Sequence, residues 1–392
     1  MRKLMTQKML FLLLLGIAGF SNAATPEEEE RARQEAFRLG MQEIVAGLNA
    51  GSTERFIAAI DRGDMLDRIF GLRLIEQRVK RDFQENLEYS YPGLIGSAFA
   101  DSKDGITASL LGVESRGDRG RAVVRFDLPD FQFNYHEYEL RLGDKKRLIV
   151  VDWVDFLRGQ KFSDGVGMML VMASPSKPAV RKLIDFQNVR ESDLFQFTEL
   201  LKAARDRQAE RYLEIIDSLD DELQRQRVVV LTSVQLMKQI RNRRLQRTAL
   251  AHMARHYPDE PLYALMLLDY YFPTRQYQQA LASLQGLYAR LDVKDAAMEA
   301  RLSAAELVLG NVTEAAGHAD AALQLEDGLE LAWWSALRAR AAQQDYAGAV
   351  TALQGLESGF GHELGPEALG RDPGLAGLVA SDAYRAWLGT RE

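Results

Sequence analysis

Cysteine is absent from the 392 residues. That excludes a disulfide framework, a thiolate metal centre, a catalytic cysteine and a lipidated cysteine. Histidine is scarce, at five, which leaves little room for a histidine-built metal centre. No Gly-x-Ser-x-Gly elbow occurs, so one common route to a serine hydrolase is missing. The glycine pair Gly165-Val166-Gly167 has neither the following lysine nor the preceding strand of a phosphate loop. Positive charge is also short. The chain carries a formal −7, a poor match to nucleic acid. Hydrophobic content of 47% and charged content of 27% exclude wholesale disorder and a polytopic membrane protein.

Long apolar runs are missing too. Residues 9–20 (MLFLLLLGIAGF) form a run of 12, well short of the roughly 20 that cross a bilayer as a helix. Arg2, Lys3 and Lys8 precede it, and Ser21-Asn22-Ala23 places small residues at −3 and −1 of a cut before Ala24. Residues 1–23 therefore read as a cleaved secretion signal. Loss of its three cations takes the formal charge from −7 to −10. The expected address is the periplasm, as soluble protein without a stable transmembrane anchor.

From residue 24 to 173 the pattern is helices, then strands. Thr25 suits a cap, Pro26 the first helical position and Glu28 the third place of a capping box. Phe37, Met41, Ile44, Val45 and Leu48 follow at helical spacing and Gly51 ends the segment. A short helix is expected over 53–60 and a longer one over 65–89, broken by Pro92-Gly93. The period then switches to two. Residues 106–113, 121–128, 131–142 and 147–157 are rich in β-branched and aromatic side chains. A helix over 164–173 closes the unit, which predicts an α+β domain of helices packed on a curved antiparallel sheet of about four strands. Ser174-Pro175-Ser176-Lys177-Pro178 reads as a linker.

Beyond it, residues 179–392 carry helical patterning alone. Tyr277, Ala280, Leu284 and Leu287 are matched by Val312, Ala315, Ala319 and Ala322, then by Tyr346, Ala349, Leu353 and Leu356. Ala280, Ala315 and Ala349 fall where the two helices of a hairpin come closest. With Tyr271, Gly310, Trp333 and the boundary Pro258, this half resembles the tetratricopeptide repeat, whose period is about 34 residues. The resemblance covers residues 193–361 and implies an all-α solenoid. The tail, with Tyr384, Trp387 and Leu388, reads as a capping helix. The first half, with its Tyr135–Leu140 strand text (YHEYEL) and Ile149-Val150-Val151-Asp152-Trp153, resembles the cone fold of nuclear transport factor two-like proteins.

Candidate chemistry is thin. His252 and His256 stand one helical turn apart, a spacing that chelates divalent metal, but no Glu follows His252 and a third ligand is lacking. His136 and Tyr138 share one face of their strand, with Tyr135 and Glu137 on the other. Resemblance to the cone fold implies a concave pocket in which an Asp, His or Tyr moves protons, so Asp152 and Asp155 join His136 and Tyr138 as candidates. Lys238, Arg241, Arg243, Arg244 and Arg247 form the densest basic cluster; it reads as a solvated helix end, or else as a surface for an anionic partner or lipid headgroups.

These observations lead to an adaptor that is no enzyme and binds no cofactor or metal. The solenoid resemblance implies that Leu265, Asp269, Phe272, Ala304, Leu307, Trp334 and Arg338 face the groove. They make an apolar floor with one acid and one base, suited to another envelope protein or a peptide. The same face is equally suited to cover by the chain's own N-terminal domain or tail. A ligand-binding or hydrolytic enzyme in the cone pocket is the alternative.

Overall fold

The computed structural model describes residues 25–71, 75–97, 107–183 and 190–390; the signal reading of residues 1–23 lies outside them. The first helix, α1 (Pro26–Asn49), begins on the expected capping box. Thr25 Oγ1 accepts from the Glu28 backbone N–H, and the Glu28 carboxylate accepts from that of Thr25. Next come α2 (Glu54–Ala59), α3 (Arg62–Phe70) and α4 (Gln77–Ser97). Two expectations are corrected here. The helix over 65–89 is two helices, because Gly71 leaves the helical region at φ +24. Pro92-Gly93 does not end α4, which runs on to bury Ile95. That burial offsets the backbone bond that proline cannot donate.

Five strands follow: β1 (Thr107–Arg116), β2 (Arg119–Asp127), β3 (Phe133–Leu142), β4 (Leu148–Asp155) and the short β5 (Gln160–Lys161). They form one antiparallel meander in chain order. The turn at Gly117 carries φ +64, a conformation glycine adopts without steric cost. Helix α5 (Phe162–Ala173) closes the sheet. Only Ser174–Ser176 then separates it from α6 (Lys177–Leu183), in whose first turn Pro178 is tolerated. One apolar cluster takes in Val171 on one side of that break and Ala179 and Val180 on the other.

The sheet is covered on both faces. Ala122, Val124, Phe126, Tyr138, Leu140, Val150 and Trp153 meet Phe37, Met41, Phe56 and Met65 from the N-terminal helices. Val123, Phe133, Tyr135, Val154 and Phe156 point the other way, into Leu265, Leu284, Leu287, Met298 and Leu302 of the helical half. Residues 122–126 of β2 are accordingly buried without interruption.

Among the described residues the helical half contains five hairpins. Hairpin 1 pairs Glu191–Arg205 with Ala209–Ser218, and hairpin 2 pairs Arg227–Ile240 with Arg243–His256. Hairpin 3 pairs Ala264–Tyr271 with Tyr277–Leu291, and hairpin 4 pairs Ala296–Leu309 with Val312–Leu325. Hairpin 5 pairs Glu330–Ala342 with Tyr346–Phe360. Each is reversed by a residue of left-handed φ: Arg207, Arg241, Arg275, Gly310 and Gln344. Those positions are 34, 34, 35 and 34 residues apart. In four of the turns the next backbone N–H bonds five residues back: Gln208 to Ala203, Gln276 to Tyr271, Asn311 to Glu306, Asp345 to Arg340. This is the long bond of a Schellman ending.

Ala280, Ala315 and Ala349 are fully buried where the helices of hairpins 3, 4 and 5 meet. Ala315→Leu and Ala349→Leu are each expected to destabilise the protein by about 1–3 kcal/mol, since a larger side chain has no room there. Urea melts of the two variants check this.

A candidate protein-binding surface

The first helices of hairpins 3, 4 and 5 carry six of the seven groove residues read from the sequence, and Phe272 caps the first of those helices. The structure divides them into three groups. Leu265 lies under the sheet, buried with Phe133, Tyr135, Val154 and Phe156. Leu307 and Trp334 pack against the C-terminal cluster that holds Leu364, Leu369, Leu375 and Trp387. Trp334 also meets the His362 ring edge-on at 5.4 Å, and Arg338 pairs with Asp372 of the tail at 3.0 Å. Phe272 is half-buried against the same cluster as Leu265, and Asp269 and Ala304 are left exposed to solvent.

The strip of Asp269, Phe272 and Ala304 is bordered by residues sequence reading missed. Arg301 donates to the Phe131 carbonyl oxygen at 2.5 Å and its guanidinium stacks 5.6 Å from the Phe133 ring centre. Asp269 is exposed to solvent. Desolvation pushes its carboxyl above the ordinary range, with Lys238 and Arg301 pulling it back. Val308, one turn beyond Ala304, is 49% exposed, and Phe131 at the sheet rim is 42% exposed. The strip thus combines an apolar lane with a charged trio. A signal for Val308 did exist, since it stands four residues after Ala304 on one helix. Nothing local marks Phe131 or Arg301.

The sheet is held on the hairpins by a buried ionic knot. Arg125, in the middle of β2, has no exposed surface. It donates to Asp127 (2.7 Å), to Asp295 (2.5 Å) and to Glu326 (2.9 Å). Burial opposes its charge, but those three carboxylates outweigh burial and hold it firmly protonated. Tyr135 donates to the second oxygen of Asp295, and that oxygen also accepts from the Met298 backbone N–H as a helix cap. Burial first, then the Asp295 charge, raises the Tyr135 phenol so that it keeps its proton. At the next contact, Glu137 receives Arg290 at 2.6 Å and Arg121 at 2.8 Å.

The inner face of the sheet brings His136 between Tyr138 Oη (3.1 Å) and Asp155 Oδ2 (3.6 Å). Burial works to raise the Asp155 carboxyl, but bonds with His136 and Asn134 hold it low. Trp153 stacks on Phe162 at 4.1 Å beside them. All four members of the cluster are buried. Asp152 is spent on Ser163, whose hydroxyl donates to it at 2.6 Å. His252 and His256 do face each other, at 4.6 Å between ring centres. Desolvation and the neighbouring cations push His252 down to about 4. Among the described residues no group of three or more His, Asp or Glu is placed to hold a metal.

No known protein family matches the chain, and neither a curated protein nor a solved structure matches it. Among the described residues, no helix is long and apolar enough to cross a membrane.

Trp334→Ala is expected to loosen the tail. It removes an aromatic packed against His362 and bonded to Glu330, at a cost of about 1–2 kcal/mol for a partly exposed side chain. Faster amide exchange over residues 362–389, with hairpins 1–3 unchanged, is the expected signature.

Proposed function

We propose that this protein is a non-enzymatic adaptor of the envelope, built from a cone-like α+β domain and a tetratricopeptide-like array. On this reading the array holds a peptide or protein segment in the open strip. The strip of Asp269, Phe272 and Ala304, extended by Val308, carries the proposal. Asp269, Ala304 and Val308 are exposed there, and Phe272 is half-buried at the edge of the cluster under the sheet. A partner segment would lay an apolar side chain along Phe272–Ala304–Val308 and a polar group against Lys238, Asp269 and Arg301. The turn spacing of 34 to 35 residues supports the solenoid resemblance. The N-terminal pattern supports an address outside the cytoplasm. Burial of His136, Tyr138 and Asp155 beneath Trp153 favours the adaptor over an enzyme in the cone pocket, because acid–base groups need contact with substrate.

A photo-crosslinking side chain at Ala304 or Val308 tests the reading in cells. A discrete adduct is expected from both sites and none from the exposed Thr351 on hairpin 5. Ala304→Arg is expected to abolish the Val308 adduct while leaving the melting temperature in place. Absence of an adduct at both sites would refute the strip as a binding surface.

A further inference from the structure

Across hairpins 1 to 3 the two edges of the array differ in charge. At the turns inside hairpins 1, 2 and 3 stand Arg207, Arg241 and Arg275, joined by Arg243, Arg244 and Arg247 at the start of the second helix of hairpin 2. All six are exposed. Among the described residues none of them has a carboxylate within ion-pair distance. Residues 228–258 contain no Asp or Glu at all. Connections between hairpins leave from the other edge, and with Arg225 and Lys294 included they are net acidic: Asp220-Asp221-Glu222, Asp259-Glu260, Asp292 with Asp295, and Glu326-Asp327.

Helix energetics explain only the acidic edge. Asp220, Glu260 and Asp295 accept backbone N–H bonds at helix starts, where negative charge is favoured. Arg243, Arg244 and Arg247 stand in or next to the first turn of a helix, where the dipole disfavours cations. Arg241 holds a left-handed conformation that glycine takes at lower cost. Helix stability therefore gives no reason for this cluster.

We infer that the basic edge docks on the anionic headgroups of a phospholipid bilayer, with the acidic edge turned away. The cations project from turns and helix starts at successive hairpins, so their complement is broad and flat. They are all arginine, whose planar fork matches phosphate oxygens. No aromatic side chain interleaves them for base stacking, which disfavours nucleic acid. The chain as a whole is acidic, at −7, and with screening over about 8 Å only an edge-on approach is attractive. This inference stands apart from the open strip, and neither depends on the other.

The test is sedimentation of the full chain with vesicles of phosphatidylcholine containing about 30% phosphatidylglycerol, against pure phosphatidylcholine. The neutral vesicles measure whatever residues 9–20 contribute. Binding at least about tenfold stronger to the anionic vesicles is expected, falling steeply between about 50 and about 300 mM salt. The triple variant Arg241→Glu, Arg243→Glu, Arg244→Glu is expected to abolish that difference. Its helix start should hold, because glutamate is favoured there; the Arg→Gln triple, expected to lose part of the binding, covers a folding failure. Reversal of Arg31, Arg371 and Arg385, exposed elsewhere, is expected to leave the preference intact. Equal binding to both vesicles, an unaffected edge variant, or an equal loss in the control triple would overturn the inference. So would tighter binding to duplex DNA than to vesicles in the same buffer.

Discussion

Arg125→Met is expected to destabilise the protein by about 3–5 kcal/mol, the usual cost of breaking a fully buried ion pair from one side. The guanidinium answers Asp127, Asp295 and Glu326 at once. Its removal leaves Asp295 buried, bonded to Tyr135 and Met298 but with no counter-charge. The loss falls at the seam where β2 meets hairpin 4, so the two halves should come apart more readily. Equilibrium urea unfolding gives the free energy, and Arg125→Met with Asp295→Asn gives the coupling. The double variant is expected to recover part of the loss, because the stranded charge is gone. A single-variant cost below about 1 kcal/mol would mean that solvent enters this seam and the knot is dispensable.

Trp153→Ala carries an expected loss of about 3–5 kcal/mol, from transfer and cavity terms together. The indole has no exposed surface, lies on Phe162 and meets Phe56 edge-on at 5.2 Å. Its ring neighbours come from β3, α2 and α5, so no single element can move to refill the space. An apolar cavity of this kind binds small aromatics. Indole in the buffer is expected to raise the variant's melting temperature and leave the parent's unchanged. A small destabilisation without rescue would mean that the inner face collapses freely, and that Trp153 is a lid over an existing space.

Much of the local structure was legible without coordinates. The capping box at Thr25 and Glu28 is a local arrangement, complete within four residues, and it forms as read. Strand text at 121–128, 131–142 and 147–157 became β2, β3 and β4 within a few residues, because side-chain alternation with period two reports which residues face a core. The three buried alanines were visible as small residues at a fixed interval. Two local signals misled. Pro92-Gly93 reads as a breaker, yet the burial of Ile95 carries α4 past it. The spacing of small residues gives no sign of hairpins 1 and 2, because Tyr212 and Gln246 stand where later hairpins have alanine and because Arg207 and Arg241 hold turns that glycine would have announced.

Element types, their order and the positions of the small residues were thus determined by the sequence alone, through interactions reaching only a few residues along the chain. The tertiary structure decided what covers what. An arginine in the middle of a strand reads as solvent-facing, and Arg125 is buried only because Asp295, 170 residues later, is brought to it. Leu265 and Trp334 have the same apolar character as Phe272, yet one is closed by the sheet and the other by the tail. The open strip around Asp269 is what remains after those two dockings. Its extent follows from the packing of distant surfaces, and hydrophobic burial carries no label of its partner in the local text.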